Sequence, residues 1–235
     1  MVIALGGNRP DKNLAVVGFL QRAIRKFAYR PGQKLFCIGF NKTGTTTMAK
    51  AFREMGYKVA PQRPAELLVH DWYNGDFQRI FEFVRKQGNA FQDVPFCLPG
   101  MPQALDAEFP GSKFILTVRD SPEIWHRSLV RFHGKLFANM GVPTKADLMA
   151  AGYVRKGWMW EVNRMIFDTP ENDLYEAEGC IRVYNQYNTS VLEHFKGTTN
   201  KLLVLNLTNP NALRQINGFL NAPKRLKYLS WENKT

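Results

Sequence analysis

A stretch of glycine, threonine and one lysine, residues 39–47 (Gly-Phe-Asn-Lys-Thr-Gly-Thr-Thr-Thr), combines the backbone and side chains that bind an anion. It follows an apolar run of strand length, 34–40, and precedes a helical pattern that ends at Gly56. Backbone N–H groups at the start of a helix, together with the helix dipole, favour a negatively charged ligand. The stretch therefore predicts a phosphate-binding loop in which Lys42 contributes a cation.

The spacing in this loop differs from that of a nucleoside triphosphatase. Gly39 and Gly44 keep the four-residue gap of the G-x-x-x-x-G-K-[ST] pattern, but Thr45 stands where that pattern has lysine. The lysine lies inside the loop instead, at Lys42, so the Lys-Ser/Thr pair that serves a triphosphate and its magnesium is missing. A threonine-rich helix cap without a ligand is the alternative interpretation.

A second pattern begins at the apolar strand predicted for 113–118. Arg119 follows this strand directly, Pro122 can open a helix, and Ser128 lies within that helix. The planar guanidinium of an arginine can bind a phosphate with two parallel hydrogen bonds.

The two patterns together resemble the sulfotransferases that use 3′-phosphoadenosine 5′-phosphosulfate. Residues 42–47 are similar to the family's 5′-phosphosulfate loop, and 114–128 to its 3′-phosphate motif, with an Arg-to-Ser gap of nine residues where eight is commoner. The resemblance extends over 36–57, 90–130 and 184–220. It implies the following cofactor-binding residues: Asn41, Lys42, Thr43, Gly44, Thr45, Thr46, Thr47, Arg119 and Ser128.

The resemblance also implies a reaction. A sulfuryl group would pass in line from 3′-phosphoadenosine 5′-phosphosulfate to a hydroxyl or amine, adenosine 3′,5′-bisphosphate would leave, and no metal would be needed. Lys42 would act as a catalytic donor to the charge that develops in the transition state. The acceptor would be a small or glycan-like molecule, and its identity is not encoded in any motif.

The resemblance places the catalytic base on the segment before the Arg119 strand, where Asp93 is the ionisable residue. Burial by the neighbouring apolar residues would raise the pKa of this carboxylate toward neutrality. Alternatively, Asp93 caps a helix or turn that begins at Pro95. His70 and His133 are rival bases.

For several other polar and aromatic residues, the sequence supports less specific predictions. His126 lies in the helix of the 3′-phosphate motif and could point either way, and Lys156 is expected to be solvated. Trp158, Trp160 and Phe167 do not share one helical face, so some of them are expected to line an acceptor cleft and at least one to pack in the core.

The elements that must position these residues alternate between strands and helices. Besides 34–40, strands are predicted at 57–60, 89–92, 113–118 and 202–207. Helices are predicted after residue 47 and near 75–87, 101–108, 122–135, 155–167 and 172–196. This alternation predicts a three-layer α/β sandwich with a central, mostly parallel sheet. The resemblance implies that this is the P-loop NTPase-like sulfotransferase fold. We expect a single domain over 34–235, with a lid or insertion at 136–154.

Composition limits the remaining function classes. The chain has 235 residues and a formal charge of +12, which indicates anionic partners. Seven basic and one acidic side chain lie in the first 36 residues, where 12–29 form an amphipathic pattern. We expect residues 1–33 to hold a basic helix that flanks the domain and makes at most weak contact with a membrane surface.

Two other function classes stay open: a P-loop nucleotide kinase or triphosphatase, and a non-catalytic basic binding module. No specific nucleic-acid partner is expected, because the basic residues are not interleaved with aromatic ones. Three widely spaced cysteines and the lack of an apolar stretch of membrane-spanning length favour a cytoplasmic location. The oligomeric state is left open.

Overall fold

The computed structural model describes residues 33–198, 200–220, 222 and 224–230. Four strands form one sheet in the order β2-β1-β3-β4, and every neighbouring pair is parallel. They are β1 (Leu35–Cys37), β2 (Ala90–Gln92), β3 (Lys113–Val118) and β4 (Leu202–Asn206). The predicted α/β class with a central parallel sheet is confirmed.

Helices fill the connections between the strands. Within the described ranges they are α1 (Thr45–Glu54), α2 (Gln62–Glu66), α3 (Val69–Tyr73), α4 (Gln78–Gln87), α5 (Met101–Glu108), α6 (Pro122–Phe137), α7 (Lys145–Ala150), α8 (Trp158–Ile166), α9 (Ala177–His194) and α10 (Ala212–Leu220). Parallel neighbours require such crossovers, because the chain must return to the same end of the sheet before each new strand.

The central strands are buried on both faces, which explains their apolar runs. Phe36 stacks between Phe91 and Phe114, with ring centroids 5.2 and 5.3 Å apart, and these three side chains belong to one core. Cys37 and Ile115 belong to a second core on the opposite face, with α1 and α10. The alternation of side chains along a strand assigns successive residues to the two cores and makes the molecule three-layered.

One predicted strand is wrong. Residues 57–60 make only an isolated bridge, between Val59 and Ala90, because the chain meets β2 at a single position. The short helices α2, α3 and α7, and the helix α10, were not predicted. Helices of five or six residues contain too few positions for a helical period to be recognised.

The segment 136–154, expected as a lid or insertion, is partly helical. Gly134 packs so closely on the turn that follows α6 that a Cβ there would lie 2.3 Å from the carbonyl oxygen of Gly141. Thr144 and Asp147 form a reciprocal capping box that starts α7, and Leu148 is fully buried. This segment therefore packs on the domain.

The predicted amphipathic helix at 12–29 and its proposed membrane contact lie outside the described residues. Among the helices that are described, none has the length and hydrophobicity needed to cross a bilayer.

Candidate active site

A cavity of about 220 Å³ opens beyond the carboxyl ends of β1, β2 and β3. Ligands of open α/β sheets bind at this edge, where successive loops diverge. The polar part of the lining includes Asn41, Lys42, Thr43, Gly44, Thr45, Thr46, Glu66, Asp93, Arg119 and His133. Apart from Glu66, these are residues that the sequence had singled out, and they come from separate stretches of the chain.

The close packing of the loop at 39–44 explains why glycine occupies both ends of the four-residue gap. A Cβ at Gly39 would lie 2.0 Å from Thr117 Oγ1, so the loop can approach β3 only without a side chain there. Gly44 has a φ of 107°, and a Cβ there would lie 2.2 Å from a methyl carbon of Leu207. The spacing that resembled a phosphate loop is therefore enforced by packing against β3 and the end of β4.

Hydrogen bonds within the protein hold this loop in shape. The buried hydroxyl of Thr43 lies 2.5 Å from the carbonyl oxygen of Phe40, to which it donates, and 2.6 Å from Thr117 Oγ1. The indole N–H of Trp125 donates to the carbonyl oxygen of Asn41 at 3.0 Å. Thr43 and Asn41 therefore contribute at least in part as supports of the loop. The threonine-rich segment lines the cavity, and no side-chain cap hydrogen bond is formed at the N-cap of α1, Gly44.

The N-terminus of α1 meets the cavity through Gly44, Thr45 and Thr46. The first N–H groups of a helix have no acceptor within that helix, so this end favours an anion. Thr46 is exposed and Thr47 is buried, and Thr47 does not contribute to the cavity lining.

Lys42 lies in the left-handed region, with a φ of 67°, and its ammonium is 3.7 Å from the centre of the Phe132 ring. Partial burial, and secondly the nearby guanidinium of Arg119, lower the pKa of Lys42 to about 8. Two half-buried cations beside one another are unfavourable unless an anion lies between them. The pair is thus suited to a multiply charged anionic ligand.

Arg119 joins the two predicted motifs. Its Nε donates to the carbonyl oxygen of Lys42 at 2.6 Å, and a terminal nitrogen donates to Ser128 Oγ at 3.3 Å. Its backbone N–H donates to the hydroxyl of Tyr184 at 3.3 Å. Between Arg119 and Ser128, Ser121 caps the N-terminus of α6 and accepts a bond from the N–H of Ile124, and Arg119 still reaches Ser128 across the nine-residue gap.

Asp93 lies at the end of β2 in a strained backbone conformation, with a φ of 63°. Its carboxylate accepts bonds of 2.9 Å from the Thr45 hydroxyl and from the backbone N–H of Val94. Burial raises the pKa of Asp93, although both hydrogen bonds and the charge of Lys42 act against that rise. No helix starts at Pro95, but residues 94–97 form a turn in which the Cys97 N–H donates to the carbonyl oxygen of Asp93, so Asp93 also supports a turn, as the alternative interpretation expects. Asp93 and Lys42 both line the cavity.

The histidines occupy different environments. His70 lies 3.0 Å from Glu161 and does not line the cavity. His133 does line it, but its Nδ1 is 2.8 Å from the Tyr175 hydroxyl, and burial followed by the charge of Lys42 lowers its pKa to about 4. His126 contacts the carbonyl oxygen of Tyr175 at 2.8 Å. Of the rival bases, only His133 reaches the cavity.

Glu66 is a cavity residue that the sequence interpretation missed. It lies at the end of α2, is 6% exposed, and lies 2.9 Å from Arg63 and 3.2 Å from the Tyr153 hydroxyl. Burial raises the pKa of Glu66 to about 7, with the charge of Asp93 adding to the effect and that of Arg63 opposing it. Glu66 follows Ala65 and precedes two leucines at the end of a short helix, and this stretch contains no motif that indicates a cavity residue.

Aromatic and aliphatic side chains form the rest of the wall. They include Phe132, Leu136, Phe137, Tyr153, Trp158, Met159, Val162, Ile166 and Phe167. Trp158 and Phe167 thus lie at the cavity. Trp160, in contrast, contacts the cations of Lys145 and Arg164, whose charged groups are 4.7 and 5.7 Å from its ring centre. Lys156 is exposed, as expected.

Two comparisons with known proteins bear on this arrangement. The chain matches the family model described as the sulfotransferase domain over residues 34–224, well over half of its length. No curated protein matches the chain significantly. In the described part of the chain, no group of three or more His, Cys, Asp or Glu side chains could hold a metal ion. With its parallel α/β sheet and the extent of that match, the chain belongs to the sulfotransferase domain family and is a transferase.

Proposed function

We propose that this chain transfers a sulfuryl group from 3′-phosphoadenosine 5′-phosphosulfate to a hydroxyl or amine of a small acceptor. The observation that carries the proposal is the position of Arg119, which donates to Lys42 on one side and to Ser128 on the other. Its guanidinium links the two anion-binding motifs into one continuous site. A nucleotide with phosphate groups at both its 3′ and 5′ positions matches such a site.

The residues present fit this donor. The N-terminus of α1 and Lys42 would hold the 5′-phosphosulfate, and Arg119 with Ser128 would hold the 3′-phosphate. Partial burial lowers the pKa values of both Lys42 and Arg119, and a bound polyanion would offset that cost for each cation. When bound, the nucleotide supplies the activated sulfuryl group and a stable leaving group.

Catalysis by the protein would rest on Lys42 and Asp93. Asp93 would accept the proton of the acceptor hydroxyl or amine, and its raised pKa strengthens it as a base near neutral pH. Thr45 and the N–H of Val94 orient its carboxylate. Lys42 would donate to the oxygens on which negative charge grows, as a preorganised electrostatic group. The apolar wall excludes water from the acceptor.

A thermal-shift measurement tests the donor assignment. Adenosine 3′,5′-bisphosphate at about 100 times its dissociation constant should add about 2.7 kcal/mol to the free energy of unfolding. For a chain of this size that corresponds to a rise of about 5–10 °C in Tm. Mg-ATP should give a much smaller rise. Stabilisation by Mg-ATP but not by the bisphosphate would instead favour a nucleotide kinase, and no response to either would favour a non-catalytic module.

Substitutions of Arg119 and Ser128 test the proposed 3′-phosphate site through the affinity for the bisphosphate. We expect Arg119→Ala to weaken bisphosphate binding roughly 30-fold or more, and Ser128→Ala about 3- to 10-fold, because charge-assisted hydrogen bonds to a phosphate are lost. Isothermal titration calorimetry measures both. Arg79→Ala removes an exposed cation of α4 that pairs with Asp71 and serves as the charge control. Equal affinities for all three variants would refute this 3′-phosphate site.

A further inference from the structure

Four ionisable groups that line the cavity influence one another in sequence. The charge of Arg119 acts on Lys42, that of Lys42 acts on Asp93, and that of Asp93 acts on Glu66. The nucleotide contacts proposed above occupy the first two groups, and proton transfer from the acceptor occupies the third. Glu66 is the other carboxylate of the cavity lining besides Asp93, is buried, and has no role yet assigned.

Its neighbours hold Glu66 in one orientation. Arg63 binds Oε2 at 2.9 Å and the Tyr153 hydroxyl donates to Oε1 at 3.2 Å. The Arg63 guanidinium lies 4.3 Å from the centre of the Tyr153 ring, so the three side chains form one cluster. An ionised carboxylate has about four lone-pair positions for hydrogen bonds. With Gln62 as a third hydrogen-bonding neighbour, acceptor capacity is still left on a side chain that lines the cavity.

Aromatic rings border this cluster, although Arg63 and Tyr153 also reach the surface, with exposures of 51% and 41%. Tyr153 contacts the rings of Phe137 and Trp158 at centroid distances of 6.2 and 5.8 Å. Glu66 itself is buried, and a buried carboxylate disfavours a ligand that covers its free acceptor positions without offering a hydrogen-bond donor. A ligand with a hydroxyl or N–H group beside the Glu66 carboxylate therefore binds better than a ligand of equal shape without one.

We propose that Glu66, oriented by Arg63 and Tyr153, is a specificity-determining residue that accepts a hydrogen bond from a second donor group of the acceptor. The acceptor class is a largely apolar alcohol or phenol that carries one further hydroxyl or N–H group. The reacting hydroxyl lies at Asp93, and the second donor lies at Glu66. This inference rests on the proposed function and adds the acceptor class to it.

Two matched pairs of acceptors test this class: 4-ethylphenol against 4-(2-hydroxyethyl)phenol, and hexan-1-ol against hexane-1,6-diol. The measured quantity is the ratio of kcat/KM for the two-donor compound to that for its one-donor partner, with 3′-phosphoadenosine 5′-phosphosulfate as donor. We expect a ratio above 10 for the unmodified chain in at least one pair. Glu66→Met, which keeps the volume but removes the acceptor oxygens, should bring the ratio to about 1.

Three further variants define the cause. Glu66→Gln keeps one acceptor oxygen and should retain part of the preference, and Tyr153→Phe should reduce it by less than Glu66→Met does. Glu82→Met, at an exposed glutamate of α4, should leave the ratio unchanged. Thermal melting of each variant with the bisphosphate shows whether the fold and the donor site persist when a variant loses activity.

The outcomes distinguish this inference from the proposed function. If the chain binds the bisphosphate and sulfates one-donor acceptors as well as two-donor ones, or sulfates neither pair, the acceptor assignment is overturned and the donor assignment stands. The same holds if Glu66→Met lowers kcat/KM for both members of a pair equally, since Glu66 would then serve only to support the cavity wall. If the bisphosphate does not bind at all, the proposed function itself fails.

Discussion

Replacing Lys42 by alanine is expected to lower kcat by roughly 10²- to 10³-fold, the usual effect of removing a preorganised transition-state donor. The ammonium lies over the Phe132 ring, 3.7 Å from its centre, at the wall of the cavity, and the carbonyl oxygen of the same residue is bound by Arg119. The substitution removes the cation and leaves that backbone contact in place. The effect should therefore appear in turnover more than in the fold.

The measurement is the steady-state rate with labelled phosphosulfate donor, together with the Tm of the variant. Lys135→Ala removes an exposed cation near the C-terminal end of α6, the helix that contains Phe132, and serves as the matched control. A Lys42→Ala rate within about threefold of the unmodified chain, at unchanged Tm, would show that the loop does not hold the reacting group.

The pH profile of kcat/KM should carry the signature of the same lysine. Burial and Arg119 lower the pKa of Lys42 to about 8 in the free protein, so its charged form is lost as the pH rises through 8. We expect kcat/KM to fall above this pH, since that parameter reports the ionisation of the free enzyme. Lys42→Arg, which stays charged, should move the decline to higher pH even if its maximal rate is lower.

Replacing Asp93 by asparagine should lower kcat by about 10²- to 10⁴-fold, the contribution of a positioned general base, while bisphosphate affinity changes little. Asparagine tolerates the left-handed backbone that Asp93 adopts at a φ of 63°. It can also keep a hydrogen bond with Thr45. The variant is thus expected to fold and to bind nucleotide, but to lack the proton acceptor.

Although Asp93→Asn should be less active than the unmodified chain, we expect it to be equally or more stable. Because burial raises the pKa of Asp93 above its unfolded value, the folded state holds the proton more tightly, and the free energy of unfolding falls as the pH rises past about 4. The uncharged variant escapes this loss and should melt at an equal or higher temperature at pH 7–8. The difference should shrink as the pH is lowered toward 4.

The exposed Asp173→Asn is the control for Asp93→Asn and should change neither property. Loss of bisphosphate binding together with activity in Asp93→Asn would assign Asp93 a structural role. Retained activity would transfer the base to another group, and His133 is then the first candidate because it also lines the cavity.

Much of the fold followed from periodicity. The bounds of β3 and α5 agree with the predicted 113–118 and 101–108. For β3 the signal is a largely apolar run at 114–118. The predicted strand at 57–60 failed for the opposite reason. Its residues are suited to a strand, but they pair with β2 only at Ala90, and the length over which two segments lie side by side is set by the tertiary structure.

The candidate site divides in the same way. Each half of the proposed cofactor motif is local in sequence. Around Lys42, a strand end, a glycine and a helix start bring the backbone groups together, and Arg119 lies between the end of β3 and the start of α6. The contact between the two halves of that motif could be expected only from the parallel order of β1 and β3. Glu66, in contrast, reaches the cavity through a five-residue helix with no recognisable signal, and only packing brings it within the electrostatic reach of Asp93.

The sequence by itself determined the class of the fold and indicated the residues that we propose to bind a sulfonucleotide, because both depend on short patterns of residue type and spacing. It determined neither the environment of Asp93 nor the presence of Glu66 and Tyr153 in the cavity. Those features depend on desolvation and on contacts between side chains up to 87 positions apart. The ionisation state of a carboxylate and the shape of an acceptor pocket are properties of that packed environment, so only the tertiary structure decided them.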